Sequence, residues 1–152
     1  MRSLIAALKA LIGIVAIVCS SFAYAEQFKQ FDDVFIHYQA VNTKLVDADS
    51  LQKYGIQVSR NNALINIAVQ QKMPDGSMKP LAVTLKGDAK NLMQQKTELQ
   101  FAEVKEGSAI YYLAQLRYTP EQTFHIEIDA TLADGRHYQF SFPQTFYVED
   151  GK

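Results

Sequence analysis

The stretch TFHIEIDATLADGRHYQFSF, residues 123–142, decides the fold. Apolar and polar residues alternate on both sides of Ala133-Asp134-Gly135, the period-2 pattern of two half-buried strands. Gly135 suits the left-handed position of a three-residue hairpin loop. That loop sets Leu132 opposite Arg136, Ala130 opposite Tyr138, Ile128 opposite Phe140 and Ile126 opposite Phe142. His125, Glu127 and Asp129 then share the other face with Ser141, Gln139 and His137. One face is apolar and the other polar, and a slip by one residue would mix them. Pro143 has no N–H to give a ladder, which predicts an edge strand or a bulge at that point.

The same logic extends upstream. Met73-Pro74-Asp75-Gly76-Ser77 combines a proline that presets φ with a glycine for the left-handed position. Pairing Met73 with Ser77 predicts Val69 opposite Leu81, Ile67 opposite Val83 and Ile65 opposite Leu85, all apolar. Short apolar runs separated by turn residues continue through the chain. They predict strands at Val34–Ala40, Ala63–Gln71, Lys79–Lys86, Glu98–Val104, Ala109–Tyr118, Thr123–Leu132 and Arg136–Val148. The expected fold is all-β: an immunoglobulin-like antiparallel β-sandwich of about seven strands. The likeness is architectural, since the chain has no Trp and its one cysteine is Cys19. Ala109–Tyr118 is apolar on both faces over its first half, which suits a central strand. It joins Glu98–Val104 through Lys105-Glu106-Gly107, a loop that fits two registers.

One short helix is expected within the long connection from Val41 to Asn62. Asp47 is a capping residue for it, and Gly55 suits the position just past its end.

The first 25 residues follow a different pattern. Arg2, then an apolar run from Ala10 to Cys19, then Ala23-Tyr24-Ala25 is the order of a secretory leader cut after Ala25. The expected organisation is a signal peptide at 1–25 and a single β-sandwich domain at 26–152, located in the periplasm or secreted to the medium. Val18 precedes Cys19 where a lipid-anchor site wants a small residue, so no membrane insertion is expected after leader cleavage. Without Arg2 and Lys9 the mature chain has 13 basic and 16 acidic residues, net charge −3. That balance excludes a strongly basic surface for nucleic acid.

Three segments resemble a known family: YGIQVSRNNALINI (54–67), EGSAIYY (106–112) and QTFYV (144–148). Together they are similar to the secreted proteobacterial proteins catalogued as domain of unknown function 4426. The resemblance spans essentially the whole mature chain and implies a periplasmic β-sandwich. It implies no activity, ligand or catalytic residue.

The residues themselves argue against chemistry. His125 and His137 share a face of the last hairpin but stand about 20 Å apart along it, too far to share a metal. His37 is on an early strand with nothing to place it beside them. Asp47 and Asp49 lack the glycine and further oxygen ligands of a calcium loop, and helix capping explains them. No Gly-x-Ser-x-Gly elbow, His-Glu-x-x-His helix or mature cysteine is present. The expectation is therefore no enzyme, no cofactor and no metal, but a binding or accessory module for another envelope protein. The alternatives are a small-ligand or metal carrier and, behind it, a hydrolase. The candidate partner surface is Tyr54, Arg60 and Asn61. Arg60 suits an external carboxylate or phosphate or an internal Glu or Asp equally well.

Overall fold

The structure, a computed structural model, describes residues 27–148. The leader, its cleavage point after Ala25 and Cys19 lie outside the described residues. Among the described residues ten strands form two antiparallel sheets, and one short α-helix lies in the connection after the second strand. The first sheet holds β1 (Phe28–Phe31), β2 (Val34–Asn42), β3 (Asn62–Lys72), β8 (Ala109–Arg117) and β7 (Ala102–Glu106) in that order, with β4 (Met78–Pro80) also paired to β3. The second runs β10 (His137–Phe146), β9 (Gln122–Leu132), β5 (Val83–Asn91), β6 (Lys96–Leu99). Ile36, Ile65, Ile67 and Val69 from the first sheet and Ile126, Ile128 and Ala130 from the second fill the core, each fully buried.

The last hairpin pairs as its alternation requires, from Thr131 with His137 to Ile126 with Phe142. Gly135 takes φ +90°. Pro143 lies on β10, the edge strand of its sheet. Leu132 N–H bonds Arg136 C=O, so the even-numbered residues of β10 face β9 and the N–H that Pro143 lacks would have pointed off the sheet.

The Pro74–Gly76 hairpin holds its register only at the tip. Met73 pairs with Ser77, and Leu81 N–H still reaches Val69 C=O at 2.8 Å. Beyond that point the expected pairs do not form. Val83 lies opposite Leu132 and Leu85 opposite Ala130, in the other sheet. The reason is occupancy: Ile67, Asn66 and Ile65 already pair with Tyr112, Leu113 and Ala114 of β8. The chain must cross to the second sheet, and the Tyr112 hydroxyl accepts the Val83 N–H at 2.8 Å where it does so.

Glu98–Val104 is likewise two strands, not one. Leu99 pairs with Gly87 in the second sheet, and Ala102 pairs with Leu113 in the first. At the corner Phe101 packs over Gly87, where an added Cβ would lie 2.9 Å from the Phe101 ring. These two crossings and the unforeseen β1 account for ten strands where about seven were expected. The β7–β8 register is Glu106 opposite Ala109. β8 is central, between β3 and β7, although Tyr111 on its outer face is half-buried. Phe140, expected in the core, is half-buried too, because it sits on the edge strand. There it joins Phe31, Tyr38, Tyr138 and Phe142 in an aromatic row that closes that side of the sandwich, with Tyr38 stacked on Phe142 at 4.4 Å.

Candidate functional site

The ends of both sheets meet at one pole. Asn42 is opposite Ala63, Asn62 opposite Arg117, Asn91 opposite Phe124 and Phe146 opposite Gln122, and residues 118–121 link β8 directly to β9 across the sandwich. Arg60 and Asn61 stand here. They line an open recess of about 400 Å³ with Pro120, Glu121, Tyr147 and Val148.

Tyr118 ties the recess together. Its hydroxyl donates to the Arg60 carbonyl at 3.0 Å, it contacts the Asn42 side-chain amide, and its ring stacks on Phe146 at 4.7 Å. Its backbone N–H bonds Asn61 C=O at 3.0 Å, and Asn61 Nδ2 returns a bond to the Tyr118 carbonyl at 3.2 Å. Asn61 therefore closes the end of β3 against β8. Its neighbour Asn62 is buried, donating to Gln57 C=O and Gln115 Oε1 at 2.7 and 2.9 Å.

Tyr54 does not join them. It ends the helix α1 (Ala48–Lys53), which Asp47 caps through Ser50 N–H at 3.0 Å. The Ser50 bonds hold the Asp47 carboxyl below its usual range. At the other end Ile56 N–H reaches Leu51 C=O and Gly55 N–H reaches Gln52 C=O, the paired bonds of a Schellman close, with Gly55 at φ +70°. Leu51 and Ile56 pack on Leu64, so the helix lies over the outer face of the first sheet. The Tyr54 hydroxyl fastens it to the Glu106 carboxylate, which pushes the phenol pKa up. The expected three-residue surface is thus split between a sheet face and a pole.

The pole carries a second feature that sequence reasoning passed over. Leu92 and Met93, at the tip of the β5–β6 hairpin, are 80% and 77% exposed, and Tyr147 and Leu45, which follow β10 and β2 at the same end of the sheets, are 64% and 65% exposed. The tip is held in shape. Asn91 Oδ1 accepts the N–H groups of Met93 and Gln95 at 3.0 and 2.9 Å, and its amide donates to Gln95 Oε1. Gln94 sits at φ +64° and Glu121, on the rim of the recess, at φ +59°. Such left-handed conformations are costly for long side chains and persist only where surrounding structure fixes them. An apolar pair inside the polar run KNLMQQK (90–96) was the available signal.

His37, His125 and His137 lie on β2, β9 and β10. His137 contacts Asp129, and His125 is opposite Pro143 and Lys90. Among the described residues no three His, Cys, Asp or Glu side chains come together as a metal site. No helix among them is long and apolar enough to cross a membrane.

Comparisons with known proteins agree on the architecture. A search of curated proteins finds no match. A DUF4426 family protein from Pseudomonas aeruginosa superimposes with a TM-score of 0.73 at 26% identity, over 85% of this chain and all of that one. FetP from uropathogenic Escherichia coli strain F11 is similar at 10% identity, with TM-scores of 0.60 as isolated and 0.59 for a copper-bound variant. The two cover 81% and 84% of this chain and 94% and 93% of theirs. At that identity the likeness concerns fold alone. Residues 28–149 match the domain of unknown function DUF4426, and the chain belongs to that family.

Proposed function

We propose that this chain is a periplasmic binding module without catalysis of its own, which docks onto another envelope protein through the pole bearing Leu92 and Met93. The observation that carries this reading is the rigid hairpin tip, which holds two apolar side chains almost wholly in water. Burying each would contribute about 1.5–3 kcal/mol, enough to anchor an interface before ordering costs. Lys90, below the tip, favours an apolar pocket rimmed by carboxylates, while Lys96 opposite it is held by Asp88 at 2.9 Å. The leader pattern supports the address, and the mature protein should begin at Glu26 by amino-terminal sequencing.

The copper of the FetP variant belongs to that protein. At 10% identity it carries nothing over to this chain's residues, so the carrier reading gains no support from it. The test is a Leu92→Ser, Met93→Ser double variant. It should keep its circular dichroism and melting temperature while losing co-purification with its envelope partner. Retained association would refute docking through the pole.

A further inference from the structure

We propose that the edge of β2 beyond the end of β1 binds an extended, uncharged polypeptide segment by strand addition. The β1 ladder stops with Phe28 opposite His37, and the last bond on that side runs from Tyr38 N–H to Gln27 C=O at 2.9 Å. β2 continues to Asn42. Asp33 C=O accepts from Lys72 N–H at 2.7 Å, so odd-numbered residues of β2 bond to β3 and even-numbered ones face the other way. The N–H and C=O of Ala40 therefore point off the sheet. Among the described residues no strand pairs with them. The open edge rests on the proposed removal of the leader after Ala25.

Open edges are ordinarily blunted by charge, proline or cover. The other edges here follow that rule: β10 carries Pro143, β6 carries Lys96 and Glu98, and β7 carries Glu103, Lys105 and Glu106. Tyr38-Gln39-Ala40-Val41-Asn42 has none of these. A groove of about 710 Å³ wraps this edge, and no carboxylate, lysine or arginine lines it. Gln27, Gln39, Gln70 and Gln144 supply amides, and Ala40 and Ala68 leave the backbone approachable. Asn66 Oδ1, within the groove, is buried and has no hydrogen-bond partner among the described residues. A buried acceptor without a donor is costly, and Asn66 lies one strand inward of the edge, where a glutamine side-chain amide of an added strand, reaching across β2, would satisfy it.

The test uses 15N-labelled mature protein and a blocked hexapeptide alternating threonine with valine and glutamine. We expect saturable shifts at the Gln39 and Ala40 amides and the Asn66 side-chain amide, with Ala40 hydrogen exchange slowed about tenfold. The same peptide N-methylated at alternate residues should produce none. Ala40→Pro removes the outward N–H and no bond to β3, so binding should vanish with the fold intact. Gln39→Lys, which places charge on the edge, should weaken binding should the proline variant misfold. The Leu92→Ser, Met93→Ser variant should bind the peptide unchanged, which separates this edge from the pole. No saturation up to about 5 mM, equal binding of the N-methylated peptide, or shifts away from this edge would overturn the proposal.

Discussion

Tyr112→Phe probes the place where the chain leaves one sheet for the other. The tyrosine is 4% exposed, and its hydroxyl accepts from Val83 N–H at 2.8 Å and donates to Glu103 Oε2 at 3.0 Å. Phenylalanine keeps the ring and its packing and deletes both bonds. Glu103 is exposed, so its carboxylate turns to water at little loss. Val83 is half-buried and keeps an unsatisfied N–H, which costs about 1–3 kcal/mol when fully buried. The expected loss is about 1–2 kcal/mol, or a melting temperature lower by roughly 4–8 °C in a domain of this size. Burial raises the Tyr112 pKa above its ordinary value of 10.0, with Glu103 adding to the effect. Its contribution is therefore complete below that value and is lost as pH rises through the raised pKa. Thermal melts of both proteins should show a gap at neutral pH that narrows in alkali. Equal melting temperatures at pH 7, or a gap that widens in alkali, would refute the role assigned to this hydroxyl.

Packing and charge set the remaining outcomes. Gly87→Ala places a Cβ 2.9 Å from Phe101 Cε2 and 3.1 Å from the Glu127 carbonyl, and denaturant melts should register a loss of about 1–3 kcal/mol. Ile67→Ala, at 0% exposure, should cost about 2–5 kcal/mol. Phe140→Ala on the half-buried edge should cost less than the same change at Phe142, and Glu127→Ala on the outer face should stay within about 0.5 kcal/mol. Arg136 Nη1 meets Asp33 at 2.8 Å and its Nε meets Asp134 at 2.8 Å, joining the β1–β2 turn to the β9–β10 turn. Hydrogen bonds from Gln71 and then Arg136 hold the Asp33 carboxyl below its usual 3.8. This stabilisation is present above that value and lost as pH falls through the lowered one. Urea titrations should show Arg136→Gln weaker than wild type at pH 7, with the difference shrinking in strong acid.

The last hairpin was legible because every local signal agreed: alternation, the Ala133-Asp134-Gly135 loop and an edge proline whose missing N–H points outward. The helix was legible for a similar reason, since Asp47 and Gly55 bracket it. The crossings were not. Leu81 to Leu85 alternates as well as any continuous strand, and its departure depends on β8 already occupying the edge of β3, a fact about distant pairing. Phe101 over Gly87 is likewise invisible without both sheets in place. Arg60 and Asn61 are legible as one loop, yet the pole around them gathers Leu92, Glu121 and Tyr147 from three other segments. Short-range patterns do not report which loops share an end of a sandwich.

Docking through that pole can be read by photo-cross-linking in intact cells, with a photoreactive residue at position 93 and, for comparison, at position 134 on the opposite pole. Position 93 should give one discrete adduct with an envelope protein, lost when Leu92 is changed to serine, and position 134 should give none. No adduct at position 93, or the same adduct from both positions, would rule out docking through this pole.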